Sequence, residues 1–86
     1  MRIILEESFL RSAKQLPPTV KKKLTFLIEL LKSNPFHPRL RAKHLTGSLA
    51  GFLSFRITRD YRVIFRFADQ QTIRLLKAGH RKDIYR

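Results

Sequence analysis

The sequence contains no cysteine, so neither a disulfide framework nor a thiolate metal site can supplement the hydrophobic core. Its six acidic residues are scattered, which argues against a paired-carboxylate mechanism or a two-metal nuclease site. No apolar run approaches the roughly 20 residues of a membrane span, and the apolar patch near the N-terminus is far too short for a signal peptide. We therefore expect a cytoplasmic protein that does not enter a membrane.

Glycine is also scarce, with three in 86 residues, and there are no internal repeats or low-complexity tracts. The sequence has no glycine-rich phosphate loop, no HExxH and no GxSxG. His37 and His44 lie in a predicted loop without an obvious carboxylate partner, so we expect an exposed pair rather than a metal site. The length predicts one domain spanning residues 1–86, and we expect no cofactor.

Positive charge is in large excess: 19 Lys and Arg against six Asp and Glu give a formal net charge of +13. Such an excess attracts polyanions. Nucleic acid, an anionic membrane surface and an acidic protein are the candidate partners, beside the alternative that the charge serves no specific target. A hydrophobic content of 43% argues against a disordered basic tail.

Two helices are predicted in the first half of the chain. The first runs from Glu7 to Leu16 and is ended by two prolines. The second begins at Pro18 or Thr19 and ends at Ser33, and its apolar stripe consists of Val20, Leu24, Leu27, Ile28 and Leu31. Because the connector is so short, the helices should form an antiparallel hairpin that packs on another layer. A linker follows, which carries a basic tract of Arg39, Arg41, Lys43 and His44.

Three strands are predicted in the second half, at Phe52–Thr58, Tyr61–Phe67 and Thr72–Ala78. The first two alternate apolar and polar residues, whereas the third has apolar residues on both faces, which suits an internal strand covered on two sides. The expected fold is therefore α+β: an N-terminal antiparallel helical hairpin packed on a small, mainly antiparallel sheet. The seven phenylalanines fit the core periodicity, which argues against an aromatic platform for single-stranded nucleic acid.

The apolar pattern also predicts the register of the first two strands. A two-residue loop would pair Ile57 with Arg62 and mix apolar with charged faces. A three-residue loop pairs Ile57 with Tyr61, so that the apolar faces coincide. Arg56 then lies opposite Arg62, although like charges in that arrangement repel. Either this pair faces an anion, or both side chains splay into water.

The basic residues of the strands and the C-terminus could cleave RNA without a metal. This chemistry needs a base for the 2′-hydroxyl, in-line geometry, cations for the phosphoryl oxygens and a donor for the leaving 5′-oxygen. Arginine suits the cation role, and histidine can act as acid or base near neutral pH. Tyrosine, with a free pKa of about 10, needs dense positive charge to act as a base. Tyr85 could equally pack on the sheet edge. The candidate set is Arg56, Arg62, His80, Arg81, Lys82 and Tyr85.

Three segments resemble RelE-type toxins of type II toxin–antitoxin systems, which belong to the RelE/ParE superfamily: His44–Gly51, Phe55–Phe65 and Gly79–Tyr85. The resemblance implies a RelE-like fold and cleavage of messenger RNA in the ribosomal decoding site, which leaves a 2′,3′-cyclic phosphate. It also implies catalytic roles. Arg62 would stabilise the transition state, Arg81 would act as acid or phosphate clamp, and Tyr85 would be the general base. His80 resembles a histidine that some relatives use as acid or base.

Further expectations concern binding. Arg56 stands near the position of a strand lysine in the family, and we expect it to bind RNA together with Arg59 and Lys82. The implied partners are an acidic cognate antitoxin, in a hetero-oligomer, and messenger RNA on the ribosome. Two alternatives stay open: a ParE-like toxin that binds DNA gyrase and cleaves nothing, and a basic nucleic-acid-binding module.

Overall fold

A computed structural model describes residues 1–85. The chain forms a five-stranded sheet and two α-helices, in the order β1 (Arg2–Leu5), α1 (Glu7–Ala13), α2 (Pro18–Ser33), β2 (Lys43–His44), β3 (Leu53–Arg56), β4 (Tyr61–Asp69) and β5 (Thr72–His80). The spatial order is β1-β5-β4-β3-β2, with β1 parallel to β5 and the other pairs antiparallel. The fold is thus α+β with a mainly antiparallel sheet, as expected. Within these residues, no helix has the length and apolar character needed to cross a membrane.

The predicted N-terminal helical hairpin is not confirmed, because the chain begins with a strand and the first helix is short. Residues 2–5 form an edge strand, because Ile3 pairs with Ile73 and extends the sheet by main-chain hydrogen bonds. Four residues are too few for strand periodicity to be visible in the sequence. Helix α1 is also shorter than predicted: residues 14–16 leave it in tight turns, which bring Leu16 into the core.

Helix α1 lies along the edge of β5 instead of pairing chiefly with α2. Strand β1 ends opposite Leu75, so the rest of β5 has no strand on that side. The hydroxyl of Ser8 donates to the carbonyl of Leu76 at 2.7 Å, and that of Ser12 accepts from the N–H of Ala78 at 2.9 Å. Two serines, one helical turn apart, thereby satisfy main-chain groups that a strand would otherwise pair.

Helix α2 has its predicted bounds, and the leucines of its stripe are buried. The segment that follows is less irregular than the sequence suggested. It contains short 3₁₀ turns at Pro38–Leu40 and Gly47–Leu49, and β2 lies between them. Main-chain pairing of β2 with β3 anchors this segment at the sheet edge opposite β1.

The predicted register of the β3–β4 hairpin is confirmed. Phe55 lies opposite Val63, and Arg56 lies opposite Arg62. The N–H of Ile57 donates to the carbonyl of Tyr61 at 2.9 Å, so residues 58–60 form the loop, called here the β3–β4 loop.

Strand β5 is internal, as predicted, but its mixed apolar pattern has another cause. Ile64 pairs with Lys77 and Phe65 pairs with Leu75, which leaves Leu76 as the extra residue of a β-bulge. After the bulge, the residues of β5 face the opposite sides of the sheet from those that strict alternation would give. Ala78 therefore shares the core face with Leu75, although the two are three residues apart.

The helices cover one face of the sheet and form the core with it. The buried cluster joins residues of α1 and α2 to the apolar face of β3, β4 and β5. The expectation that the phenylalanines fit the core holds for Phe9, Phe55, Phe65 and Phe67, whereas two others are largely exposed. Phe26 is 51% exposed beneath the guanidinium of Arg39, and Phe36 is 54% exposed and stacks on Phe67. The other face, called here the open face, carries Arg56, Arg62 and Arg66.

We expect Ser12→Ala to destabilise the protein, because the substitution leaves the N–H of buried Ala78 without its acceptor. Such a loss costs about 1–3 kcal/mol of the free energy of unfolding. Ser33→Ala is the matched control. The hydroxyl of Ser33, like that of Ser12, donates to the carbonyl three residues earlier, but Ser33 is exposed whereas Ser12 is partly buried. It should cost less than about 0.5 kcal/mol. Urea denaturation measures both, and equal losses would contradict this account of α1.

Candidate functional site

The open face holds a small basic cleft of about 180 Å³, lined by Arg41, Lys43, Ser54, Arg56 and Arg62. Strand register creates it: Lys43 lies opposite Ser54, and Arg56 lies opposite Arg62 on the same face. Four of the five lining residues are cations and none is a carboxylate. A cleft of this composition attracts an anion. We refer to these five residues as the basic cleft.

Two of the cations, Arg41 and Lys43, were not assigned to a site from the sequence. Arg41 ends the 3₁₀ turn in the left-handed conformation, with φ of 50°, and the chain then turns into β2. Non-glycine residues adopt this conformation uncommonly. The basic tract in the linker was the only sequence signal. It could not show that β2 pairs with β3 and brings these side chains beside Arg56.

Electrostatics in the cleft are dominated by like charge. Burial lowers the pKa of Arg56 below its ordinary value, and repulsion from Arg41, Arg62, Arg59 and Arg81 lowers it further. Arginine nevertheless remains protonated at any physiological pH. A bound anion would relieve this repulsion.

Arg62 and Arg81 both bind the β3–β4 loop. Nη1 of Arg62 donates to the carbonyls of Thr58 at 2.7 Å and Arg59 at 2.8 Å. The main-chain N–H of Arg81 donates to the carbonyl of Asp60 at 2.7 Å, and its Nε lies 3.5 Å from the Asp60 carboxylate. The loop thus brings together two arginines that are 19 residues apart.

Tyr85 contacts one residue of the basic cleft, Ser54, and is not itself among the residues that line it. After β5 the chain turns, with the N–H groups of Asp83 and Ile84 donating to the carbonyl of His80. Ile84 is 1% exposed, and Tyr85 is partly buried beside it. The phenol of Tyr85 donates to the hydroxyl of Ser54 at 3.2 Å. The structure therefore joins Tyr85 to the cleft through Ser54, which lines it together with Arg56 and Arg62.

The other predicted site residues lie elsewhere. His80 pairs with Tyr61 on the core side of the hairpin, with ring centroids 5.3 Å apart, and is not among the residues that line the basic cleft. Its Nδ1 accepts the N–H of Lys82 at 3.1 Å. The side chain of Lys82 is exposed, as is that of Arg59 at the tip of the β3–β4 loop.

Metal-ligating residues do not gather in the part of the chain that the structure describes: no three His, Cys, Asp or Glu side chains are placed to hold an ion. His37 has a local role, because its Nδ1 accepts the N–H of Arg39 at 3.1 Å and caps the 3₁₀ turn. His44 is exposed and belongs to β2.

Similarity to known proteins covers nearly the whole chain. Residues 3–85 match the family model described as the ParE toxin of the type II toxin–antitoxin system parDE. The chain belongs to this toxin family. No curated protein matches it.

Solved structures of type II toxins share the fold of this family member. YafQ from E. coli is 21% identical, with a TM-score of 0.82 and 100% of both chains covered. The toxin–antitoxin complex RelBE2 from Mycobacterium tuberculosis is 28% identical, with a TM-score of 0.76 over 93% of this chain and 96% of that one. The RelB–RelE complex from Methanococcus jannaschii is 24% identical, with a TM-score of 0.78 over 95% and 94%. The RelE/ParE superfamily resemblance is thereby confirmed.

We expect Arg56→Gln to weaken the binding of an RNA oligonucleotide by this toxin. Removing one phosphate-binding cation should reduce the slope of log affinity against log salt by about one. Lys22→Gln removes the same charge from the exposed surface of α2, remote in sequence from the cleft, and should leave the slope unchanged. Fluorescence anisotropy at several salt concentrations measures both. Indistinguishable slopes would argue against the basic cleft as the anion site.

Proposed function

We propose that this toxin is an endoribonuclease that cleaves messenger RNA on the ribosome, in the cytoplasm, by attack of the RNA's own 2′-hydroxyl. The observation that carries the proposal is the hydrogen bond of 3.2 Å from the Tyr85 phenol to Ser54, because Ser54 lines a cleft together with four cations. A proton-transfer group beside fixed positive charge is what metal-free RNA cleavage requires. A toxin that only binds a protein needs no such pairing.

The reaction can be written with its protons accounted for. The 2′-oxygen forms a bond to phosphorus and gives its proton to a base. The bond from phosphorus to the 5′-oxygen breaks, and that oxygen takes a proton from an acid. The products are a 2′,3′-cyclic phosphate and a free 5′-hydroxyl. Negative charge gathers on the phosphoryl oxygens during the step, and arginine forks stabilise it best when they are already in place.

The described geometry supports specific roles for the residues. Arg62 and Arg56 line the cleft and are suited to bind the phosphoryl oxygens. Arg81, held by the β3–β4 loop that also holds Arg62, is suited to clamp the phosphate. Tyr85 is better placed than His80 to be the base, because its hydroxyl bonds a cleft residue, whereas His80 packs on Tyr61.

The small size of the cleft supports the proposal that cleavage depends on the ribosome. The basic cleft is small, at about 180 Å³, and open, so it cannot by itself hold a flexible RNA in the in-line geometry that makes up a large part of the barrier. A ribosome presents the message in a fixed conformation. We therefore propose that the ribosome supplies this orientation and that the toxin supplies the charges and the proton transfers.

A second function is favoured by one observation. The family model that matches residues 3–85 is described as the ParE toxin, and such a toxin could bind DNA gyrase and cleave nothing. The two functions share one fold, so the fold does not separate them. The toxin should therefore be assayed both on purified gyrase and on translating ribosomes.

The test is single-turnover cleavage of a message on purified ribosomes and of the same message alone. We expect strong cleavage on ribosomes, weak cleavage of the naked message and no effect on gyrase supercoiling. Arg62→Ala and Arg81→Ala should each lower the rate by roughly 10²–10³, the scale for loss of one preorganised donor.

Lys22→Ala and Lys32→Ala serve as surface-charge controls on α2 and should stay within a few-fold, because solvated charges contribute mainly to steering. Inhibition of gyrase without any RNA cleavage would overturn the ribonuclease proposal. Full cleavage by both arginine variants would overturn the site assignment.

We further propose an acidic antitoxin as the partner, because solved relatives include toxin–antitoxin complexes and this chain has a formal charge of +13. Charge complementarity of this kind steers association and specificity. A groove of about 410 Å³ between α1 and α2 offers an apolar docking surface with a basic rim. It is lined by Leu10, Ala13, Lys14, Lys21, Leu24, Thr25 and Ile28.

Leu10 tests this groove, since it is 45% exposed there and would be buried by an amphipathic helix that carries acidic residues at its edges. Burial of a leucine contributes about 1.5–3 kcal/mol, so Leu10→Asp should weaken antitoxin binding by roughly 10- to 100-fold. Phe26→Asp makes the same change at a similarly exposed apolar residue outside the groove and should matter little. Calorimetric titration with the product of the adjacent gene measures both. Equal effects would place the antitoxin on another surface.

A further inference from the structure

Ser54 is a buried hydroxyl in a position where the sheet could have used an apolar residue. It is 1% exposed, and its flanking residues Leu53 and Phe55 belong to the core. Its own side chain is on the open face, beside Ile64 of β4 and Lys43 of β2. Burying a hydroxyl is unfavourable unless the hydroxyl is hydrogen-bonded.

The hydrogen bond that satisfies this hydroxyl comes from the C-terminal segment. The phenol of Tyr85 donates to Oγ of Ser54 at 3.2 Å across 31 residues of sequence. Ile84 fixes the same segment independently, because its side chain is buried and its Cβ lies 3.9 Å from where a Cβ on Gly79 would stand. Packing by Ile84 therefore holds the segment on the sheet, and the hydrogen bond to Ser54 fixes the position of the Tyr85 ring.

We propose that Ser54 is a positioning residue, which holds the hydroxyl of Tyr85 beside the basic cleft. A serine hydroxyl carries one donor and two acceptor lone pairs. It can donate to the phenolate form of Tyr85 that acts as the base, and accept from the phenol that forms once Tyr85 has taken the proton of the 2′-hydroxyl. The same contact can thus support Tyr85 before and after the proton moves. The catalytic part of this inference rests on the proposed function, but the contact itself does not.

The alternative is that Ser54 only completes the packing of the sheet. Ser54→Ala removes the oxygen and leaves the Cβ, so the strand register set by Leu53 and Phe55 should persist. If Ser54 acts through Tyr85, the effect of this substitution must depend on the phenol oxygen. If Ser54 only packs, the effect is the same with or without that oxygen. A double-mutant cycle separates the two.

The cycle uses Ser54→Ala, Tyr85→Phe and the double variant in single-turnover cleavage on ribosomes. We expect Ser54→Ala alone to lower kcat about tenfold, the size of one net hydrogen bond, with KM within a few-fold. In the Tyr85→Phe background it should have no further effect. Ser54→Thr keeps the hydroxyl on a β-branched residue that suits a strand, and it should restore most of the rate. Equal losses in both backgrounds would overturn the proposal.

A spectroscopic experiment tests the hydrogen bond between Ser54 and Tyr85 without measuring activity. The chain has no tryptophan and two tyrosines, so Tyr61→Phe leaves Tyr85 as the only phenol. The near-ultraviolet circular dichroism of that variant then reports how firmly Tyr85 is held. We expect Ser54→Ala to weaken this signal while far-ultraviolet dichroism is unchanged, and Ser54→Thr to retain it.

The two arms keep failure of this inference apart from failure of the proposed function. A toxin that cleaves no RNA overturns the ribonuclease function and leaves the tyrosine signal to judge the contact. A signal that survives Ser54→Ala unchanged overturns the positioning role, whatever the enzyme does. Loss of the signal together with non-additive rates supports both the contact and its use in catalysis.

Discussion

The pairing of β3 with β4 is the constraint on which the site depends. The apolar set of β3 has to face the core opposite Val63 and Phe65, because a shift by one residue would move the whole set to the other side of the sheet. The same register forces Arg56 and Arg62 into opposition on the open face. Burial of the core thereby offsets a like-charge contact that neither strand would adopt by itself, and the basic cleft is a consequence of core packing.

The β3–β4 loop connects the two strands to the C-terminal segment by hydrogen bonds. Its carbonyls accept from Arg62, and Asp60 binds Arg81 through both its main chain and its carboxylate. The Asp60–Arg81 ion pair is half exposed and weak by itself. It reinforces the main-chain bond from Arg81 to Asp60, which joins the loop to the start of the turn after β5. That turn directs Ile84 and Tyr85 back over the sheet, so loop, cleft and tail form one connected unit.

Charge is distributed unevenly between two surfaces. The open face concentrates arginines and suits a polyanion, whereas the groove between α1 and α2 combines an apolar floor with lysines at its rim. A polynucleotide binds mainly through its phosphates, whereas an acidic helix also buries leucine-sized side chains. The two surfaces therefore differ in the chemistry that they select. The RNA and the antitoxin that we propose as partners would therefore bind through separate contacts, and the formal charge of +13 would favour both.

The sequence by itself determined the bounds of α2, the hairpin register, the opposition of Arg56 and Arg62, and the family, since these depend on periodicity, parity and local motifs. It did not determine β1 or the Leu76 bulge, because a short parallel edge strand and an extra residue leave no periodic signal. Only the tertiary structure decided which basic residues meet. Arg41 and Lys43 reach the cleft through pairing of β2 with β3, and His80 is turned toward Tyr61. Such contacts join residues distant in sequence, and local patterns carry no information about them.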